Sequence, residues 1–155
     1  MTLRGLVDCD IVNYKLPSLF LAFPNCSFKC GKDICQNYSL RYSDTVSVST
    51  GRVVEYFDAC PVTKAVVCGG LEPFDSEDEL KEFTACFREK HCEPIVIYTG
   101  YTEDEVKEKF GWIFSVHNLV IKYGRYIQNQ KPHYDEVLGV YLASDNQYAK
   151  EYNFK

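Results

Sequence analysis

The sequence contains no apolar run approaching the roughly 18 residues that cross a bilayer. Its opening, Met-Thr-Leu-Arg-Gly-Leu-Val-Asp-Cys-Asp, has neither an apolar signal core nor a small-residue cleavage site. A cytoplasmic protein that does not engage membrane is therefore expected. There is no block of lysine and arginine, and a formal net charge of -5 argues against a nucleic-acid binder held by phosphate contacts. Internal repeats and linkers are also missing, so the 155 residues read as one domain, 1–155, long enough to bury a core without disulfide staples. His91 and His117 fall at element ends and read as surface or structural, and His133 lies in a polar stretch, Lys131-Pro-His-Tyr-Asp-Glu136.

What is present is a hydrophobic content of 46% and an aromatic content of 15%, which together call for a folded globule. Eight cysteines in a reducing compartment read as metal ligands or buried thiols rather than bridges. Only Cys26, Cys30 and Cys35 cluster; Cys60, Cys68, Cys86 and Cys92 read as buried thiols, and Cys9 has no assigned role.

Along the chain, residues 3–12 read as an edge strand or lead-in segment. Residues 16–23 are apolar on both faces, as in the interior of a parallel sheet. A polar loop over 38–49 precedes a helix over 50–60 with Val53, Val54 and Phe57 on one face. A second buried strand over 62–68 runs into Gly69-Gly70-Leu71-Glu72-Pro73. Ser76 with Glu79 forms a capping-box pattern for a helix to about residue 91, whose Leu80, Phe83 and Phe87 share a face and whose acidic run 77–82 reads as solvated. A third strand over 94–99 ends in Gly100-Tyr101, and Thr102 with Glu105 caps a helix to about 110. A fourth strand covers 119–123, and one further apolar run covers 137–142. Alternating strands and helices predict an α/β fold with a largely parallel sheet and right-handed crossovers. Because an eight-unit barrel needs about 250 residues, this chain is expected to form an open partial (β/α) barrel of about five or six units.

Cys26, Cys30 and Cys35 occupy a short loop at the C-terminal end of the first strand, the end at which such sheets bind ligands. Soft thiolates select zinc, copper or iron–sulfur clusters. Zinc needs a fourth ligand, for which Cys9, Cys68 and His91 are candidates, whereas three thiolates suit a 4Fe-4S cube with one iron left open. In the second loop, Gly69 and Gly70 allow close backbone approach, Glu72 can accept hydrogen bonds from an ammonium group, and Pro73 stiffens the turn. If both loops open on one sheet edge, a ligand bridging the open iron and Glu72 carries an amino and a carboxylate group at one end, as S-adenosylmethionine does. The plainer alternatives are a tight glycine turn and a carboxylate that caps the following helix.

Cys26-Ser-Phe-Lys-Cys30 with Cys35, followed by Gly69-Gly70-Leu71-Glu72-Pro73, resembles the radical S-adenosylmethionine superfamily, and in particular the small activating enzymes of anaerobic ribonucleotide reductase. The likeness extends to Asp10-Ile-Val-Asn13, Tyr98-Thr-Gly-Tyr101, Tyr123-Gly-Arg-Tyr126 and Ser144-Asp-Asn-Gln147. This chain differs from the family pattern in having four residues rather than two between Cys30 and Cys35, Ile34 in place of an aromatic, and Leu71 inside the glycine motif. The resemblance implies a 4Fe-4S cluster on Cys26, Cys30 and Cys35, and S-adenosylmethionine held by Gly69, Gly70 and Glu72, with Ile34 against its adenine. Tyr98, Thr99 and Tyr101 are candidates for the adenosine pocket, with ordinary packing as the alternative. It further implies a 5'-deoxyadenosyl radical that abstracts hydrogen from a glycine of a large glycyl-radical reductase subunit, and a low-potential electron donor such as flavodoxin or ferredoxin. Action on another substrate, or a non-catalytic zinc or iron–sulfur binding module, are the alternatives.

Overall fold

The computed structural model describes residues 1–27, 31 and 33–155. In chain order it has β1 (Thr2–Leu3), β2 (Gly5–Asp10), β3 (Ser18–Phe23), a 3-10 turn at Tyr38–Tyr42, β4 (Val46–Ser47), α1 (Thr50–Ala59) and β5 (Ala65–Gly70). A 3-10 turn at Pro73–Ser76 leads into α2 (Glu77–Arg88), followed by β6 (Ile95–Tyr98), α3 (Glu103–Lys109), a 3-10 turn at Gly111–Ser115, β7 (Leu119–Tyr123), β8 (His133–Asp135), β9 (Val140–Leu142) and β10 (Tyr148–Tyr152). One six-stranded sheet, ordered β10-β7-β6-β5-β3-β2, forms the centre. Its four inner strands are parallel, and β2 and β10 close its two edges antiparallel.

Three crossovers, through α1, α2 and α3, join the parallel strands, and each moves one place in the same direction. Right-handed crossovers of that kind put all the helices on one face. Accordingly, Val53 and Phe57 of α1, Leu80, Phe83 and Phe87 of α2 and Val106 of α3 share a core with Leu21, Cys68, Ile97 and Ile121 of the strands. Burial of each large apolar side chain contributes about 1.5–3 kcal/mol. The other face carries the alternate residues Ala65, Val67, Val96 and Val120, and is covered by Tyr14 and by Leu138 and Leu142 around the β8–β9 hairpin. There are fewer strand–helix units than the five or six expected, because both ends of the chain supply antiparallel strands, and β10 was not anticipated.

The capping patterns have different outcomes. Thr102 and Glu105 form the full reciprocal box at the start of α3. Ser76 and Glu79 do not, because tertiary partners take both side chains: Ser76 Oγ accepts from Asn25 Nδ2 at 3.0 Å, and Glu79 Oε2 accepts from the Thr2 amide at 2.7 Å. Nor is the acidic face of α2 merely solvated. Glu77 accepts from Trp112 Nε1 at 2.9 Å, and Glu82 accepts from Thr50 Oγ1 at 3.2 Å, so these carboxylates join α2 to its neighbours. Arg88 ends the helix by donating to the carbonyls of His91, Glu93, His117 and Asn118, which clamps the segments entering β6 and β7.

Of the four cysteines read as buried thiols only Cys68 is fully buried, and burial pushes its thiol well above the usual range. Cys60 and Cys86 are half-buried and Cys92 is exposed, because it lies beyond the end of α2 rather than on the helix's apolar face. His91 is structural: its ring stacks on Phe87 at 4.8 Å, with Nε2 2.9 Å from Asp58 Oδ1. Among the described residues no helix is long and apolar enough to cross a membrane.

Candidate functional site

The two loops singled out in the sequence leave adjacent parallel strands, with Ala22 opposite Gly69 and Phe23 opposite Gly70. Gly70 has φ +82°, and a Cβ there would stand 2.8 Å from Ala22 Cα. At Gly69 a Cβ would meet the Phe20 ring at 3.0 Å. Gly70 is thus required by the close approach of β5 to β3 and by the turn itself, whereas a side chain at Gly69 would press on the Phe20 ring.

Beyond the strands the loops are bonded into one unit. The Leu71 amide donates to Phe23 O at 3.2 Å and the Glu72 amide to Asn25 O at 2.7 Å. The Ser27 amide, next to Cys26, donates to Asp75 Oδ2 at 2.7 Å. On the far side of the cysteine loop, Asn37 Nδ2 donates to Gly70 O at 2.9 Å. Both flanks of the thiol loop are therefore held by the glycine turn.

Glu72 is 6% exposed. Its Oε1 accepts from Thr99 Oγ1 at 2.8 Å and from the Phe74 amide at 3.2 Å, and its Oε2 accepts from the Gly100 amide at 2.8 Å. Burial pushes its pKa up to about 7 against the opposing pull of these three donors. The carboxylate caps the 3-10 turn at Pro73–Ser76, as the plainer reading supposed, and it also joins the β5 turn to the end of β6. Each carboxylate oxygen can accept more than one hydrogen bond, and Oε2 has a single donor among the described residues, so the group retains capacity toward the adjoining space. Beside it, Tyr101 donates to Asp75 Oδ1 at 2.6 Å; burial first, then that bond, raises its pKa. Tyr98 donates to Asn13 O at 2.5 Å.

A cavity of about 520 Å³ lies between these groups at the C-terminal ends of the parallel strands. Cys26, Cys35, Gly69, Gly70, Glu72, Tyr98 and Thr99 all line it. Cys30 lies outside the described residues. Ile34 lines a neighbouring hollow of about 540 Å³, which shares Gly124, Arg125 and Tyr126 with the first. Two soft thiol donors on one cavity fit a thiolate-held centre. None of the candidates for a fourth zinc ligand lines it: Cys68 points into the helix-covered core, His91 packs at the end of α2, and Cys9 is exposed on the edge strand β2.

Several cavity residues were not singled out individually in the sequence. Lys122, 7% exposed, donates to Gly124 O at 3.0 Å, with Nζ 5.8 Å from the Tyr98 ring centre. Arg125 pairs with Glu105 at 3.1 Å and lies over Tyr101. Asn13 and Arg125 fall within the short motifs noted above, whereas Lys122 sits in an apolar strand pattern whose inward face only the sheet reveals. Fold and site together define an α/β protein with a thiol- and carboxylate-lined cavity at the carboxyl edge of a parallel sheet. No protein-family model, curated protein or solved structure matches the chain.

Proposed function

We propose that this protein is a cytoplasmic 4Fe-4S and S-adenosylmethionine-dependent radical enzyme, an activase that generates a glycyl radical on an anaerobic ribonucleotide reductase. The observation that carries the reading is that Cys26, Cys35 and Glu72 line one cavity, in loops that hydrogen bonds fasten together. The one-way strand order, with every helix on one face, supports the sheet as an open partial (β/α) barrel. In this reading Cys26, Cys30 and Cys35 hold the cluster, and Glu72 accepts hydrogen bonds from the amino group of S-adenosylmethionine, with Gly69 and Gly70 lining its approach. Thr99 and the Gly100 amide hold the carboxylate in place for that contact. Tyr98 and Thr99 would border the adenosine, and Ile34, which lines the adjoining hollow, would be the residue against its adenine.

The chemistry supplied when both cofactors are bound is one-electron cleavage of the sulfonium to methionine and a 5'-deoxyadenosyl radical, which takes a hydrogen atom from glycine. A flavodoxin or ferredoxin supplies the electron, and the large glycyl-radical subunit supplies the glycine. The test is anaerobic reconstitution followed by dithionite and S-adenosylmethionine. About four irons per chain and release of 5'-deoxyadenosine are expected, and a glycyl-radical resonance should then appear on co-incubated reductase. Colourless zinc-loaded protein without cleavage refutes the reading, and cleavage without a glycyl signal moves it to another substrate.

A further inference from the structure

Between the thiol loop and Glu72 stands Tyr101, which bonds toward both. Its hydroxyl donates to Asp75 Oδ1 at 2.6 Å, and Asp75 Oδ2 accepts from the Ser27 amide, next to Cys26, at 2.7 Å. Its backbone amide donates to Thr99 Oγ1 at 3.0 Å, and that hydroxyl donates to Glu72 Oε1 at 2.8 Å. An unbroken series of hydrogen bonds thus runs from the residue after Cys26, through the side chain and backbone of Tyr101, to the Glu72 carboxylate.

The ring that links the two ends is itself fixed. Tyr101 is 7% exposed, with its ring centre 5.4 Å from that of Phe110 and 6.4 Å from that of Phe74, and Lys109 and Arg125 lie over it at 5.4 and 5.7 Å. Buried networks whose members are all bonded make the groups they join rigid. A ligand that must meet a centre beside Cys26 and the Glu72 carboxylate at once needs their separation held to about 0.5 Å. The backbone bonds between the loops set the course of the chain, whereas this series sets the carboxylate itself. Resting on the function proposed above, we infer that Tyr101 is a positioning residue, which fixes the separation between the Cys26 segment and Glu72 through Asp75 on one side and Thr99 on the other.

The test uses Tyr101→Phe, which keeps the ring and removes the hydroxyl, Thr99→Val, which removes the link to Glu72, and Thr99→Ser, which keeps it. Tyr152→Phe, whose hydroxyl bonds that of Tyr123 at 2.8 Å at the β10 edge of the sheet, is the control. In the metal-free chain, hydrogen exchange at the Ser27 amide is followed by nuclear magnetic resonance. Tyr101→Phe and Thr99→Val should both speed it by about threefold to tenfold, as for loss of one hydrogen bond. The Thr99 hydroxyl bonds only Tyr101 and Glu72 among the described residues, so its effect at Ser27 has to pass through Tyr101. In reconstituted protein the same two variants should weaken S-adenosylmethionine binding about threefold to tenfold by calorimetry, and together no more than the larger single loss, because both cut one series. Thr99→Ser and the control should match wild type throughout. Faster exchange in Tyr101→Phe alone reduces the contact to a local tether and overturns the inference, as do unchanged exchange in both variants or affinity losses that multiply. Wild type that binds no S-adenosylmethionine after reconstitution refutes the proposed function instead, and exchange in the metal-free chain then decides the network by itself.

Discussion

Replacing Glu72 by Gln should change how stability depends on pH more than stability at any one pH. A carboxyl whose folded pKa is about 7 and whose ordinary value is 4.5 keeps its proton on folding over the interval between them. Below 4.5 both states are protonated, and the group costs nothing. As pH rises past 4.5 the unfolded chain loses its proton first, so stability falls, and the loss levels off above about 7. At about 1.4 kcal/mol per pKa unit, wild type should lose about 2–3 kcal/mol relative to Glu72→Gln between pH 5 and pH 8. The substitution also places a side-chain amide where the Gly100 amide now donates, a constant penalty that offsets the whole curve without changing its shape. Groups present in both proteins, including Asp75, largely cancel in the comparison. Urea unfolding at intervals from pH 5 to 8 is the assay; with m near 2 kcal/mol/M, the midpoint difference should change by about 1 M. Parallel pH profiles for the two proteins would refute the assignment of a buried, proton-retaining carboxyl.

Gly70→Ala should destabilise by about 2–4 kcal/mol in urea unfolding, from left-handed backbone and a Cβ pressed on the β3 backbone. Gly51→Ala, in α1 with nothing within 4 Å of the added carbon, should instead stabilise by about 0.5–1 kcal/mol. Arg88→Ala should cost about 2–4 kcal/mol by leaving four clamped carbonyls short of a donor, and hydrogen exchange should quicken at the starts of β6 and β7. On the proposed reading, S-adenosylmethionine affinity of the reconstituted protein should rise from pH 6 to about pH 7.5, where the ligand's own amino group is still largely charged, because Glu72, whose pKa is about 7, ionises over that interval; calorimetry checks this, and an affinity independent of pH counts against a Glu72 contact.

Much of the architecture was legible in the chain because its signals are local. Runs of apolar residues marked β3, β5, β6 and β7, and the Thr102 and Glu105 pair marked the start of α3. The edge strand β10 carries a charged, mixed sequence, Tyr-Ala-Lys-Glu-Tyr, whose strand character comes from pairing with β7. Ser76 and Glu79 carried a capping pattern, but Asn25 and Thr2, remote in sequence, took both side chains. Cys92 resembled its buried neighbours in type, yet lies past the end of the helix that would have covered it.

The same division runs through the site. Residue type alone determined that soft thiols and a carboxylate would follow two apolar strands, since each loop leaves the C-terminal end of its own strand. Only the tertiary structure decided that the strands lie side by side, that Asn37 and Asp75 fasten one loop to the other, and that Lys122 and Arg125 join the same cavity. It also decided the state of Glu72, because a carboxyl's proton affinity depends on the water removed around it and the donors that replace that water. Spacing along a chain carries neither quantity, since both are set by atoms that folding brings from distant parts of the sequence.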